Sequence, residues 1–318
     1  MISPHDRDAI AVSRALGRGG YVSSADLRDA GFSRGDREIY QRGEVLRRVG
    51  PRLFSVVDIG TPDAWHDRVW RAAGACGEGA VVGREAAARL HGLAGGAAGA
   101  SVVILVPPTS RRRRIAGVDV YRSPVPDSDR VALDGLQLTN PLRTVVDCAR
   151  FSDRLTAVCL LESAARQGVV SLDEVAARLL EMTRAPHVRR AREALRLVDV
   201  RSESPLETAV RLPLLDAGLP YPELQLPFRC GGISGRVDIA YPIELLGGRR
   251  GGRYVGLAIE ADGREWHVGD EVFHHDRRRQ TALEEAGWLV RRFTDRHARR
   301  SPAYVVETTR RAIATVLT

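Results

Sequence analysis

The stretch V-G-L-A-I-E-A-D-G at 255–263 constrains this chain more than any other. Leu257, Ile259 and Ala261 alternate along it, which predicts a strand with one apolar face. Glu260 and Asp262 then share the opposite face. Two carboxylates side by side repel, and each raises the pKa of the other. A fold that keeps this strand must therefore supply a cation beside it. A turn beginning at Asp262-Gly263 accounts for Asp262, but it leaves Glu260 unexplained.

Further acids and bases gather around this strand in order. S-P-L-E at 204–207 predicts a helix start, with Ser204 as cap, Pro205 at the first helical position and Glu207 closing a capping box. The capping role is the plainer reading of Glu207, and it can coexist with a ligand role if that helix lies on the sheet. In G-R-V-D-I-A-Y-P, a strand with Val237 and Ile239 facing one way sends Asp238 to the other side. A carboxylate on the inner part of a strand needs a metal or an arginine as partner. Trp266-His267 follows the acidic strand, and His267 is placed to orient or deprotonate water. His274 and His275 are less well placed. D-R-R-R-Q-T-A-L-E-E-A-G-W reads as helix, Gly turn and strand, with Arg279 on the face of Asp276 and Leu283 and able to meet a phosphate. Trp288, Val290 and Phe293 read as core. Oxygen ligands of this kind suit a hard divalent cation, with Asp238 and Glu260 as the metal-holding pair. A phosphodiester beside such a cation can be hydrolysed.

The balance of charge agrees with a polyanionic partner. The 318 residues carry a formal charge of +8, and all 48 basic residues are Arg, with no Lys. GC-rich codon usage accounts for most of this bias. Arg nevertheless suits bidentate contact with phosphate and guanine. Cys76, Cys148, Cys159 and Cys230 form no CxxC pair and read as buried small hydrophobes. No apolar run approaches the ~20 residues of a membrane span. M-I-S-P-H-D-R-D lacks a charged-then-apolar signal. The expectation is a cytoplasmic protein without a membrane partner.

Four regions are expected: 1–60, 61–150, 151–200 and 201–318. In the first, Asp6 to Leu16 is helical by period. Ser23 with Asp26, and Ser33 with Asp36, cap two further helices that end at Gly31 and Gly43. V-L-R-R-V and R-L-F-S-V-V then read as a β-ribbon around Gly50-Pro51. Helices followed by a ribbon give the order of a winged helix-turn-helix. Arg34, Arg37 and Gln41 lie near one face of the third helix, where major-groove readout would use them. The ribbon would carry Arg47, Arg48 and Arg52 to phosphates. A solvated charged face is the plainer reading of the same residues. In the α+β second region, Arg111 to Arg114 read as an exposed loop or a phosphate grip. Helices at 155–167, 172–182 and 188–198 make 151–200 a helical connector. The G-G-R-R-G-G-R tract at 247–253 reads as a hairpin loop.

The N-terminal half, about residues 1–150, resembles the AbiEi antitoxins of abortive-infection toxin–antitoxin systems. The resemblance rests on G-Y-V-S-S-A-D-L-R-D-A-G-F-S, G-E-V-L-R-R-V-G-P-R-L-F, V-G-R-E-A-A-A-R-L-H-G-L and T-N-P-L-R-T-V-V-D. It implies a winged-helix repressor that binds double-stranded DNA, with a toxin as protein partner. Residues 200–318 resemble the restriction-endonuclease-like PD-(D/E)XK superfamily, nearest its very-short-patch repair (Vsr) branch. Glu207, R-V-D (Asp238), I-E-A-D-G-R-E-W-H (Glu260, Asp262, His267) and D-x-x-R-x-x-x-L-x-x-x-G-W (Asp276, Arg279) carry that resemblance. It implies a mixed sheet flanked by helices and Mg2+-dependent phosphodiester cleavage. The superfamily's E-x-K lysine is Asp262 here. The repair branch also works without that lysine, using an Asp and histidines. The leading expectation is thus an α/β multi-domain DNA endonuclease of defence or repair. The alternative is a catalytically silent nuclease fold in an antitoxin-type autoregulator. RNA processing ranks last, because aromatics are only 5% of the chain and do not interleave with the arginines.

Overall fold

A computed structural model describes residues 20–43, 45–50, 53–56, 64–77, 79–95, 101–110, 115–249, 251–263 and 270–318, with backbone alone at 49–50 and 270–277. The chain is mixed α/β and divides into two compact units. One is Met1–Ser152 with Val170–Ala191; the other is Asp153–Val169 with Arg192–Thr318. The helical stretch 151–200 is shared between them. No helix among the described residues is long and apolar enough to cross a membrane.

The first unit opens with β1 (Tyr21–Ser23), helices Ser24–Asp29 and Arg34–Arg42, and strands β2 (Leu46–Gly50) and β3 (Leu53–Val56). Both expected capping boxes form, Ser23 with Asp26 and Ser33 with Asp36. The strands pair antiparallel in the order β1-β3-β2. Val22, Leu27, Phe32, Leu46 and Phe54 fill a small core beneath them. The helix expected at Asp6–Leu16 lies outside the described residues, as do Arg52 and Arg111 to Arg114.

A five-stranded sheet follows: β4 (Val81–Val82), β5 (Val102–Val106), β6 (Val118–Arg122), β7 (Arg130–Leu133) and β8 (Leu136–Thr139), in the order β6-β5-β4-β8-β7. Every residue of β5 is buried, as an uninterrupted V-V-I-L-V run requires. Asp134-Gly135 joins β7 to β8 with φ of +48° and +79°. A two-residue turn with both φ positive matches the twist of its flanking strands. Helices Ala64–Cys76, Arg84–Leu90, Pro141–Phe151 and Leu172–Glu181 complete this part, and the division of the chain falls within helix Val188–Leu195.

The second unit runs helix Arg154–Arg166, helix Pro205–Asp216, β9 (Glu223–Cys230), β10 (Ile233–Pro242), β11 (Gly256–Asp262), helix Asp270–Glu285, β12 (Trp288–Thr294), and helices Asp295–Arg300 and Pro302–Leu317. The order is β12-β11-β10-β9. β9, β10 and β11 form an antiparallel meander, whereas β12 lies parallel to β11. A parallel neighbour needs a crossover, and the Asp270–Glu285 helix supplies it. One face of the sheet is packed through Leu224, Ile239, Tyr241, Leu257, Ile259 and Phe293. The other is packed through Phe228, Val237, Ala240, Ala258 and Leu283. Cys148 and Cys159 are buried, Cys76 and Cys230 partly so, and all four are free thiols.

Candidate active site

Leu206, Ala209, Val210 and Leu214 of the Pro205–Asp216 helix are buried in the core on one face of the sheet. A buried ion pair ties the same helix to the Arg154–Arg166 helix. Arg211 and Glu162 are 0% and 2% exposed, with Nη2 of Arg211 2.5 Å from Oε1 of Glu162. Glu162 also accepts from Thr208 Oγ1 at 2.5 Å and from the Asp199 amide at 2.9 Å. This fixes the position of Glu207, one residue before Thr208. Ser204 caps the helix as expected, but the expected capping box is not completed, because the Glu207 carboxylate accepts from the Glu203 amide instead of the Ser204 amide. The Glu207 amide donates to Ser204 Oγ (3.2 Å), whose hydroxyl donates back to Oε1 at 2.8 Å. Oε2 accepts from the Glu203 amide (2.8 Å) and from Gln225 Nε2 (2.9 Å). Burial pushes the Glu207 carboxyl upward, and the negative charge of Asp238 adds to that.

Gln225 was not legible as a site residue. It lies opposite Asp238 where the β9–β10 ladder breaks: pairing runs Val237↔Leu226, then Ile239↔Leu224, with no pair between. Its φ is +54°, uncommon for a residue with a side chain. The break also corrects an expectation. Val237 and Ile239 do not face the same way, since Val237 packs with Phe228 and Ala258 while Ile239 packs with Tyr241 and Leu257. The irregular step at Asp238 shifts the two-residue alternation by one place. The Asp238 carboxylate accepts the Ala261 amide at 2.8 Å. Burial raises its pKa, against lowering by that amide, by the Arg279 charge and by a hydrogen bond to Gln225.

Glu260 lies on the Ala258 face of β11, 8% exposed. Burial first, then repulsion from Asp238, lifts its carboxyl to about 7, with Arg279 and Arg292 opposing. Arg279 Nη2 meets both carboxylate oxygens of Glu260, at 2.9 and 3.1 Å, and also donates to the Arg236 carbonyl. Arg279 is thus already engaged with an acid. Asp262 is partly exposed, 4.0 Å from Arg292. His267 lies outside the described residues, and only backbone is described at His274, His275 and Asp276. The structure therefore gathers Glu207, Asp238, Glu260 and Arg279, and adds Gln225.

Three carboxylates gather here, with the Arg279 guanidinium on Glu260 and the Arg292 charge acting on Glu260 as well. Their donors are oxygens alone, the set a hard cation takes. Among the described residues, no three Asp, Glu, His or Cys side chains form a ready metal cage. A small hard cation is commonly held by one or two carboxylates, with water and substrate phosphate completing its shell. The Asp238–Glu260 pair fits that mode.

In the first unit, the Arg34–Arg42 helix buries none of its residues, and Ile39 is 64% exposed. Arg34 pairs with Glu38 at 3.3 Å, and Arg37 Nε donates to the Ser33 carbonyl at 3.3 Å. Gln41 is half-buried, whereas Arg47 and Arg48 on β2 are exposed.

No family model matches this chain. Two curated relatives, both from Mycobacterium tuberculosis, are 33% identical over 171 residues: uncharacterized proteins MT2308 (strain CDC 1551 / Oshkosh) and Rv2248 (strain H37Rv). The match covers 54% of this chain and spans 59% of the length of each relative. Among solved structures, the RV2827C protein of Mycobacterium tuberculosis aligns with a TM-score of 0.37 at 19% identity, over 62% of this chain and 80% of that one.

Proposed function

We propose that the second unit is a metal-dependent nuclease and that the first part of the chain binds duplex DNA. The observation that carries the nuclease reading is the joining of Asp238 and Glu260 into one cluster. Asp238 is held on the Ala261 amide, next to Glu260, and its charge keeps the Glu260 carboxyl high. The element order supports the same reading. A helix bearing Glu207, three antiparallel strands bearing Asp238 and Glu260, a crossover helix bearing Arg279 and a parallel fourth strand fit the mixed sheet implied by the PD-(D/E)XK resemblance.

Asp238 and Glu260 would hold Mg2+, which when bound would polarise the scissile phosphate and lower the pKa of an attacking water. Gln225 and the Ala261 amide orient the Asp238 carboxylate. Arg279 is the natural phosphate ligand, because its Nη2 already sits beside the acid cluster on Glu260 and a guanidinium binds phosphate oxygens as it binds carboxylate oxygens. Glu207 holds Gln225 in place. Asp262 and His267 remain second ligand and water-activating group by resemblance alone. The Arg34–Arg42 helix is suited to the major groove: it buries nothing, carries Arg34, Arg37 and Gln41, and is followed by a ribbon with exposed Arg47 and Arg48. Arg52 would extend that ribbon's grip.

The test is nicking of supercoiled plasmid in Mg2+ or Mn2+ by wild type and Asp238→Asn. Cleavage by wild type that the variant loses supports the reading, whereas equal cleavage by both assigns it to a contaminant.

A second reading is favoured by the Arg279–Glu260 pair and the absence of Lys. In it the fold is catalytically silent, and the chain is an AbiEi-like autoregulator with a toxin partner. Sequence-specific DNA retention without cleavage, unchanged by Asp238→Asn, would decide for it.

A further inference from the structure

Arg84, in the first unit, is placed unlike the arginines around it. Its guanidinium carbon lies 4.0 Å from the ring centroid of Tyr121 and 4.1 Å from that of Phe151. A guanidinium stacked on rings keeps its in-plane N–H groups as donors. Among the described residues, those groups have no hydrogen-bond or ion-pair partner. Neighbouring arginines all have acceptors. Arg143 meets Asp129 and Asp147, Arg150 meets Asp147, Arg178 meets Asp129, and Arg190 donates to the Ser152 carbonyl. Glu85 accepts from Ser152 Oγ.

The backbone commits Arg84 to this position. Its φ is +50°, a left-handed conformation that L side chains rarely adopt. Gly83 before it is pressed against β5, where a Cβ would stand 2.9 Å from Leu105. Strain of this kind persists where its surroundings hold it, and it concentrates at binding sites. The arginines around it have their own acids, since Arg143, Arg150 and Arg178 share Asp129, Asp147 and Glu181, while Glu85 is engaged by Ser152.

We propose that the Tyr121–Arg84–Phe151 stack is a preorganised binding site for a phosphate group. A guanidinium fork stacked on two rings and with free edges matches two phosphate oxygens. The group belongs either to a small phosphate ester or to a nucleic-acid backbone. This site shares no residue with the Asp238–Glu260 cluster.

Calorimetric and phosphorus-NMR titrations of the full chain with inorganic phosphate, a 5′-mononucleotide and a short duplex test it. Arg84→Asn removes the fork and tolerates the left-handed backbone. It is expected to weaken phosphate binding about tenfold or more with no loss of melting temperature. Tyr121→Leu, at a ring 41% exposed, is expected to weaken binding less, and it decides the matter if Arg84→Asn unfolds. Binding of inorganic phosphate and nucleotide identifies a small-molecule site. Binding of the duplex alone that Arg84→Asn weakens identifies backbone contact, and both of these outcomes support the proposal; duplex binding that Arg84→Asn and Tyr121→Leu leave unchanged belongs to the Arg34–Arg42 helix and overturns it. The proposal is overturned if wild type binds no phosphate probe, if it prefers an acidic peptide, or if both variants bind as wild type does. Asp238→Asn is expected to leave this binding intact, so failure of the nuclease reading stays distinguishable.

Discussion

The two units each bury a cluster of charges, and the clusters differ in how their charges match. In the first, Asp147 lies between Arg143 and Arg150, at 2.7 and 3.1 Å, and Asp129 accepts from both Arg143 and Arg178 at 2.9 Å. Each carboxylate there meets two cations. In the second, Glu207, Asp238 and Glu260 gather with Arg279 bound to Glu260 and Arg292 also acting on it, and burial raises the pKa of all three acids. A network whose acids are all paired holds a structure together. A cluster with excess acid is kept at a cost in stability, and such costs concentrate where a ligand offsets them.

The largest expected effect breaks the matched cluster. Asp147→Ala leaves buried Arg150 without its carboxylate and takes one of two carboxylates from Arg143; it should cost about 3–5 kcal/mol, read as a fall in the denaturant midpoint of the first unit. A cost near that of a surface change would show that the network does not serve as scaffold. The unmatched cluster should respond in the opposite sense. Asp238→Asn should lower nicking about a hundredfold, the weight of several kcal/mol in transition-state stabilisation, while leaving the melting temperature level or higher. A variant that loses stability as well would place Asp238 with the scaffold.

Third in size is a pH effect. The folded state holds the Glu260 proton to about 7, whereas the unfolded chain releases it near 4.5. The stability carried by neutral Glu260 is therefore whole below the lower value and lost as pH rises through the upper one. The loss should amount to no more than about 3 kcal/mol. Glu260→Gln should flatten the melting temperature across this window, and Mn2+ at pH 8 should restore wild type but not the variant. A wild-type profile that stays flat without metal would remove the repulsion argument.

Smaller effects concern the exposed helix. Arg37→Ala should weaken duplex binding about tenfold if it reads a base, within the ~1–3 kcal/mol of one such contact. Arg47→Ala should instead lower the salt slope by about one for every DNA sequence. Smallest of all, Glu38→Ala should change stability by less than about 0.5 kcal/mol, because the Arg34–Glu38 pair is exposed.

Local grammar made much of the fold legible. Ser23-x-x-Asp26 and Ser33-x-x-Asp36 capped their helices because capping chemistry lies within four residues. The alternation in β11 placed Glu260 against Leu257 and Ile259 for the same reason. The Asp134-Gly135 hairpin has a local signal as well: Asp-Gly between V-A-L and L-Q-L is a strong turn signal, and β7 and β8 flank it. Other features had no local signal. The break opposite Asp238 was not legible, because pairing register is settled between strands. Gln225 looked like any polar residue of an edge strand until that break aimed it at Glu207.

The sequence by itself determined which residues carry charge and which segments become helix or strand, since those depend on neighbours a few positions away. Only the tertiary structure decided which charges meet. Arg279 faces Glu260 across 19 positions, Gln225 faces Glu207 across 18, and Arg84 lies between rings from β6 and the Pro141–Phe151 helix. Such encounters depend on sheet register and helix packing, and burial then sets their strength by excluding the water that would screen them.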